Sequence, residues 1–240
     1  MGDSLAEAIN KFKGIKEIDK QKRIIDLFSK AFNREEDYTV EDFMDDVNKK
    51  YSELRWNITI PQNKSFNINY GKEEKALDYL FKELPSNAAY NDVLIKVIML
   101  NNLYSTQLNI HKSGDTISVK DMARRIVDID NEKTILSFKP KDAVERIGGN
   151  EYYKGFKKAY SFASKYLSFT HRNTGKGEDV VPITDSYSRR TIKLLKYENE
   201  KIDLDCYQIY YDAISKLKDE YNVGFKEIDA FLWIMGKAFS

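Results

Sequence analysis

The chain has 240 residues, 42% of them hydrophobic and 32% charged, with a formal net charge of +1. That balance describes an ordinary folded protein with a real core and excludes a generic binder of polyanions. One cysteine, Cys206, excludes an intrachain disulfide framework, and with only two histidines a structural zinc site is not expected.

"MGDSLAEAINKFKG" has no uninterrupted apolar stretch that would make a signal peptide, and its early Asp and Glu disfavour a lipid anchor. No apolar run approaches the roughly 20 residues that span a bilayer, so the expected location is cytoplasmic. With 11 Gly and 4 Pro the connections are short, and the chain reads as mainly α.

Residues 17–32 set Ile18, Ile24, Ile25, Leu27, Phe28 and Phe32 on one stripe, an amphipathic helix. "TVEDFMDDVNKKYSEL" follows, with Thr39 as N-cap and Asp42 three residues on, an imperfect capping box. "WNITIPQNKSFNINY" breaks the rhythm: Trp56, Ile58 and Ile60, then Phe66, Ile68 and Tyr70, alternate as a small β-hairpin would. Residues 92–110 form the most apolar helix, which predicts a central position. Its polar interruption is Asn101 and Asn102, whose amides need partners in the protein or on a ligand.

"SVKDMARRIVDI" is capped by Ser118, and "KPKDAVERIGG" closes on a glycine pair suited to a helix C-terminus. Residues 150–171 resume as helix after Gly155, with Ala159, Phe162, Ala163, Tyr166 and Leu167 inward and the small Ala163 and Ser164 allowing close packing. After the loop "RNTGKGEDVVPIT", a helix opens near Asp185, and two more end the chain. No linker divides the sequence. Residues 1–85 form a helical and hairpin region of unassigned role, expected to pack with residues 86–240 as one compact unit, in two lobes.

Charge is unevenly spread. Residues 152–196 hold ten basic side chains against three acids, a local excess of +7 that leaves −6 elsewhere. Such a segment is the footprint of a nucleic-acid or phosphate binder, or a chance cluster of solvated lysines.

Within this segment a basic residue starts a helix, a loop follows, and "PITDSYSRR" opens the next helix. This arrangement resembles the helix-hairpin-helix DNA glycosylases, the superfamily of endonuclease III and the 8-oxoguanine glycosylases. "KAYSFASKYLSF" is most similar to the corresponding helix of the archaeal 8-oxoguanine glycosylases, and "LNNLYSTQ" to the end of the helix that enters the gap left by an extruded base. The resemblance covers roughly residues 90–240 and points to a divergent bacterial member.

It implies Asp185 as the essential carboxylate and Lys158 or Lys165 as the nucleophilic lysine of a glycosylase with AP-lyase activity. It also implies DNA contacts through Asn101, Asn102, Gly155, Lys157, His171, Arg172, Arg189 and Arg190. Two departures stand out: the hairpin "YKGFKKAY" has one glycine, Gly155, where two are expected, and Thr184 replaces the usual valine before the aspartate. No cysteine-rich tail is present, so neither an iron–sulfur cluster nor another cofactor is implied. The alternative is an inactive nucleic-acid-binding module or a protein-interaction domain on the same fold.

The chemistry sets requirements. A carboxylate beside the anomeric carbon stabilises positive charge developing on the sugar, and a helix N-terminus favours its ionised form. A Schiff-base lysine must be neutral to attack, hence desolvated or close to other cations. Lys158, beside Lys157 and Lys154 at the helix start, is preferred on position. The competing reading of Asp185 is a plain N-cap, salt-bridged to Arg189 or Arg190 one turn on. His171 and Arg172 suit a phosphate contact or ordinary surface. Tyr152, Tyr153, Tyr160 and Tyr166 offer stacking faces, with core packing the expected fate of the last two.

Overall fold

The computed structural model describes residues 4–54, 56, 66–109, 117–149, 158–175 and 180–239. Among them are eleven α-helices and no sheet, so the chain is mainly α. They are α1 (Leu5–Lys13), α2 (Ile18–Phe32), α3 (Val40–Lys50), α4 (Gly71–Glu83), α5 (Tyr90–Tyr104), α6 (Val119–Glu132), α7 (Pro140–Gly148), α8 (Tyr160–Asn173), α9 (Ser186–Lys196), α10 (Tyr207–Tyr221) and α11 (Phe225–Ala238). They fall into two compact units. Unit 1 is Met1–Lys72 with Asp185–Ser240, and unit 2 is Glu73–Thr184.

In unit 1, Ser4 and Glu7 cap α1 reciprocally, and Thr39 and Asp42 do the same for α3. The Thr39 box is therefore complete, Asp reaching back as Glu would. Gln21 donates its side-chain amide to the carbonyls of Phe12 and Ile15, which fixes the turn between α1 and α2. α11 packs against both α2 and α9. At its centre Phe231 meets Phe12 at 4.7 Å and the edge of Phe28 at 5.1 Å. α11 approaches α9 through Gly236, where a Cβ would fall 2.6 Å from the Tyr187 carbonyl oxygen and 2.7 Å from Thr191 Oγ1.

Of the expected hairpin, residues 57–65 lie outside the described residues. In its second limb Asn67 forms an isolated antiparallel bridge with Thr39, and Ile68 N–H donates to the Tyr38 carbonyl.

In unit 2, α7 lies on α8 and α5 on α6. Gly148 brings α7 so close to α8 that a Cβ there would stand 2.9 Å from Ala163 Cβ, the packing the small residues predict. Arg125, 2% exposed, donates to the carbonyls of Arg146 and Gly149 and so closes the C-terminus of α7. Ser118 caps α6 by accepting from the Asp121 amide.

α5 departs from expectation twice. It ends at Tyr104 rather than near residue 110, because Ser105 and Gln107 take positive φ (47° and 63°). It also buries only one face: Val93, Val97 and Leu100 are enclosed, whereas Ile95, Ile98 and Met99 are 46%, 37% and 38% exposed.

Candidate functional site

In unit 1, Asp185 is the N-cap of α9. Its Oδ1 accepts from the Ser188 amide at 2.8 Å, while its own N–H donates to Ser188 Oγ at 2.9 Å. Asp185 is half-buried, and among the described residues its Oδ2 has no hydrogen-bond partner. Beneath it Tyr210 is fully enclosed; burial, followed by the charge of Asp229, pushes its phenol well above the ordinary tyrosine range. Arg189 directs Nε to Asp205 Oδ1 at 3.1 Å, so this ion pair forms with a residue beyond its own helix. Arg190 and Lys193 are exposed, and Lys196 pairs with Glu220.

Beside Asp185 lies a group that sequence reasoning missed. Lys237, near the end of α11, holds its ammonium 4.5 Å from the Trp233 ring, 4.7 Å from Phe66 and 5.7 Å from Tyr70, and donates to Tyr70 Oη at 3.3 Å. The Trp233 indole is in turn met edge-on by Phe66 at 88°, Tyr70 at 90° and Tyr187 at 83°. Burial draws the Lys237 amine below the usual lysine range, with the charges of Tyr187 and Asp185 opposing it. The one available signal was Trp233 four residues before Lys237, a spacing that stacks a lysine on an indole. Phe66 and Tyr70 come from the other end of the chain.

In unit 2 the two candidate lysines differ sharply. Lys158 is exposed, precedes α8, and carries its ammonium 5.6 Å from the Tyr160 ring. Lys165 is 6% exposed, donates to Ser161 Oγ at 3.0 Å, and lies 5.6 Å from the Tyr104 ring. Lys165 is thus buried, whereas the preferred Lys158 is exposed. Tyr160 and Tyr166 are buried, as helical spacing predicts.

Asn101 fixes the turn after α5. Its Oδ1 accepts from Leu108 N–H and Thr106 Oγ1, both at 2.9 Å, and its Nδ2 donates to the Leu108 carbonyl at 3.0 Å. Asn102 is exposed. His171 is 6% exposed. Arg172 is engaged inside the unit, bound to Glu74 and, at 2.9 Å, to Asp78. Gly155 and Lys157 lie outside the described residues, as do Tyr152 and Tyr153. The basic excess of residues 152–196 thus thins out where carboxylates neutralise Arg172, Arg189 and Lys196.

A second buried amine in unit 2 is Lys96, 1% exposed. It donates to the Ser86 carbonyl and to Asn87 Oδ1, which also accepts from Tyr166 Oη at 2.7 Å. Burial brings its pKa down to about 8, opposed by Asp92 and Asp130. Among the described residues no group of three or more metal-binding side chains occurs, and no helix is long and apolar enough to cross a membrane.

The model of the family described as "HI_0787_N: N-terminal domain" matches residues 46–174, more than half of the chain. The protein belongs to that family. A relative from Haemophilus influenzae, described as an uncharacterized protein, is 32% identical over 153 residues, which cover 60% of this chain and 66% of that protein. No solved structure matches the chain. The HI_0787_N match contains Asn101, Lys158, Lys165 and Arg172, whereas Asp185, Arg189 and Lys237 lie beyond it.

Proposed function

We propose that this protein is a DNA glycosylase-like enzyme that removes a damaged or modified base, with Asp185 as its essential carboxylate. The observation carrying this reading is the geometry at Asp185, where one oxygen is fixed by the helix it caps and the other, among the described residues, accepts no hydrogen bond.

In the reaction, the bond between the sugar C1′ and the base nitrogen breaks, and its electron pair leaves on the base, which takes up a proton. Asp185 stabilises the positive charge left on the sugar, and water adds at C1′ as it gives up its own proton. The target base must first leave the stack.

A second reading, a protein-interaction domain, is favoured by the exposed Ile95, Ile98 and Met99 on one face of α5. The test uses oligonucleotides carrying 8-oxoguanine, uracil or an abasic site. Base release, read as strand scission after alkali, should occur with wild type and vanish in Asp185→Asn. Neither scission nor salt-sensitive binding to any of these strands would remove the glycosylase reading and leave the interaction domain.

A further inference from the structure

We infer that Lys237 and the rings around it form the base-recognition site of unit 1, selecting a neutral base that presents a carbonyl oxygen and refusing one that carries a positive charge. The inference rests on the glycosylase reading of Asp185 and extends it to the substrate class.

Three features support it. First, Phe66, Tyr70, Tyr187 and Trp233 are each half-buried, so every ring keeps some surface in contact with solvent. Aromatic groups left part-exposed side by side suit a flat heteroaromatic ligand, because every base has a π-face to stack. Second, the cluster already contains a cation. Aromatic boxes ordinarily attract cations from outside, but here the ammonium of Lys237 lies 4.5 to 5.7 Å from three of the rings. A cationic ligand, such as a base alkylated on a ring nitrogen, would meet a like charge in the same low-dielectric place.

Third, among the described residues Lys237 has donors to spare. An ammonium carries three N–H bonds and no acceptor, and Tyr70 Oη takes one of them. A carbonyl oxygen is the complement of those that remain; an exocyclic amine is not. Asp185 acts on the charge of Lys237 from the same unit, which sets the base-recognising cation beside the carboxylate proposed to act on the sugar.

Trp233 supplies the readout, since Trp56, the other tryptophan, is 3% exposed. Wild type, Lys237→Met, Lys237→Arg and Trp233→Leu, each checked for folding by circular dichroism, would be titrated with 2′-deoxyguanosine, 2′-deoxyuridine, 2′-deoxyadenosine and 7-methylguanosine. Binding is followed by tryptophan quenching, and for Trp233→Leu by equilibrium dialysis.

Wild type should prefer the guanine and uracil nucleosides over 2′-deoxyadenosine by about tenfold, the value of a hydrogen bond to a charged donor, and should bind 7-methylguanosine weakest. Lys237→Met should erase the preference and admit 7-methylguanosine, Lys237→Arg should keep the preference, and Trp233→Leu should lose binding. An unchanged preference in Lys237→Met, or 7-methylguanosine bound by wild type as well as 2′-deoxyguanosine, overturns the inference. Its failure is separable from that of the glycosylase reading: base release without Lys237-dependent selectivity removes this site alone, whereas selective nucleoside binding without base release removes the chemistry and keeps the site.

Discussion

Replacing Lys96 by methionine should change how stability depends on pH. The folded amine has a pKa near 8 against 10.5 for a free lysine, so between those values the unfolded chain binds more protons than the folded one. Stability therefore rises with pH across that window, and the burden of burying the charge is felt in full below pH 8. A gap of that size corresponds to about 3 kcal/mol at pH 7 and to less than about 1 kcal/mol at pH 10. Methionine removes the titration. It also removes the bonds to the Ser86 carbonyl and Asn87, a loss of about 1–3 kcal/mol that does not depend on pH. The absolute difference between the two proteins at one pH is thus a poor guide, and its change with pH is the clean quantity. In urea denaturation followed by circular dichroism, wild type should gain about 2 kcal/mol relative to Lys96→Met between pH 7 and pH 10. A difference that stays flat over that range would refute the account, and would mean that Asn87 and the flanking rings keep the ammonium as comfortable as water does.

Three further outcomes follow from the geometry. Asp185→Ala should destabilise by about 1 kcal/mol through loss of the cap, while Asp185→Asn, which still accepts from Ser188, should unfold close to wild type; thermal denaturation of the pair separates stability from any loss of base release. Asn101→Ala strips three hydrogen bonds from the 106–108 turn and should cost about 2–3 kcal/mol, with proteolysis accelerating at that turn. Gly236→Ala drives a methyl group into the Tyr187 carbonyl and Thr191 Oγ1, and calorimetry should show a loss of about 1–3 kcal/mol.

What could be read from the sequence was whatever depends on near neighbours. The caps at Thr39, Ser118 and Asp185 are three-residue devices, and each forms. The close packing at Ala163 was legible from its small size, whereas its partner, Gly148 at the end of α7, was not. The end of α5 was misread because the apolar pattern continues through Leu108 and Ile110, while the stop is made by backbone turns that Asn101 holds from seven residues away. Arg172 was read as available for phosphate because its acids lie far off in sequence, Glu74 98 residues away. Of the Lys237 cluster only the Trp233 spacing was legible, Tyr70 standing 167 residues from the amine it accepts from. Lys158 and Lys165 differ in burial, which helix position does not encode.

The split of unit 1 between the two ends of the chain bears on synthesis. As the polypeptide leaves the ribosome, α1, α2 and α3 emerge with Ile24, Ile25 and Phe28 ready to be enclosed, but α11, which lies against α2, is made only after the whole of unit 2. Unit 2, continuous from Glu73 to Thr184, has all its partners long before that. Closing unit 1 across so long an intervening stretch carries a modest entropic cost, because that cost grows only with the logarithm of length. The waiting time is the greater burden. For most of translation the first three helices carry exposed apolar faces, the condition in which chains aggregate or engage chaperones. A nonsense mutation just before Phe225 would thus leave unit 2 able to fold and make α1, α2 and α3, far from the lesion, the sticky part.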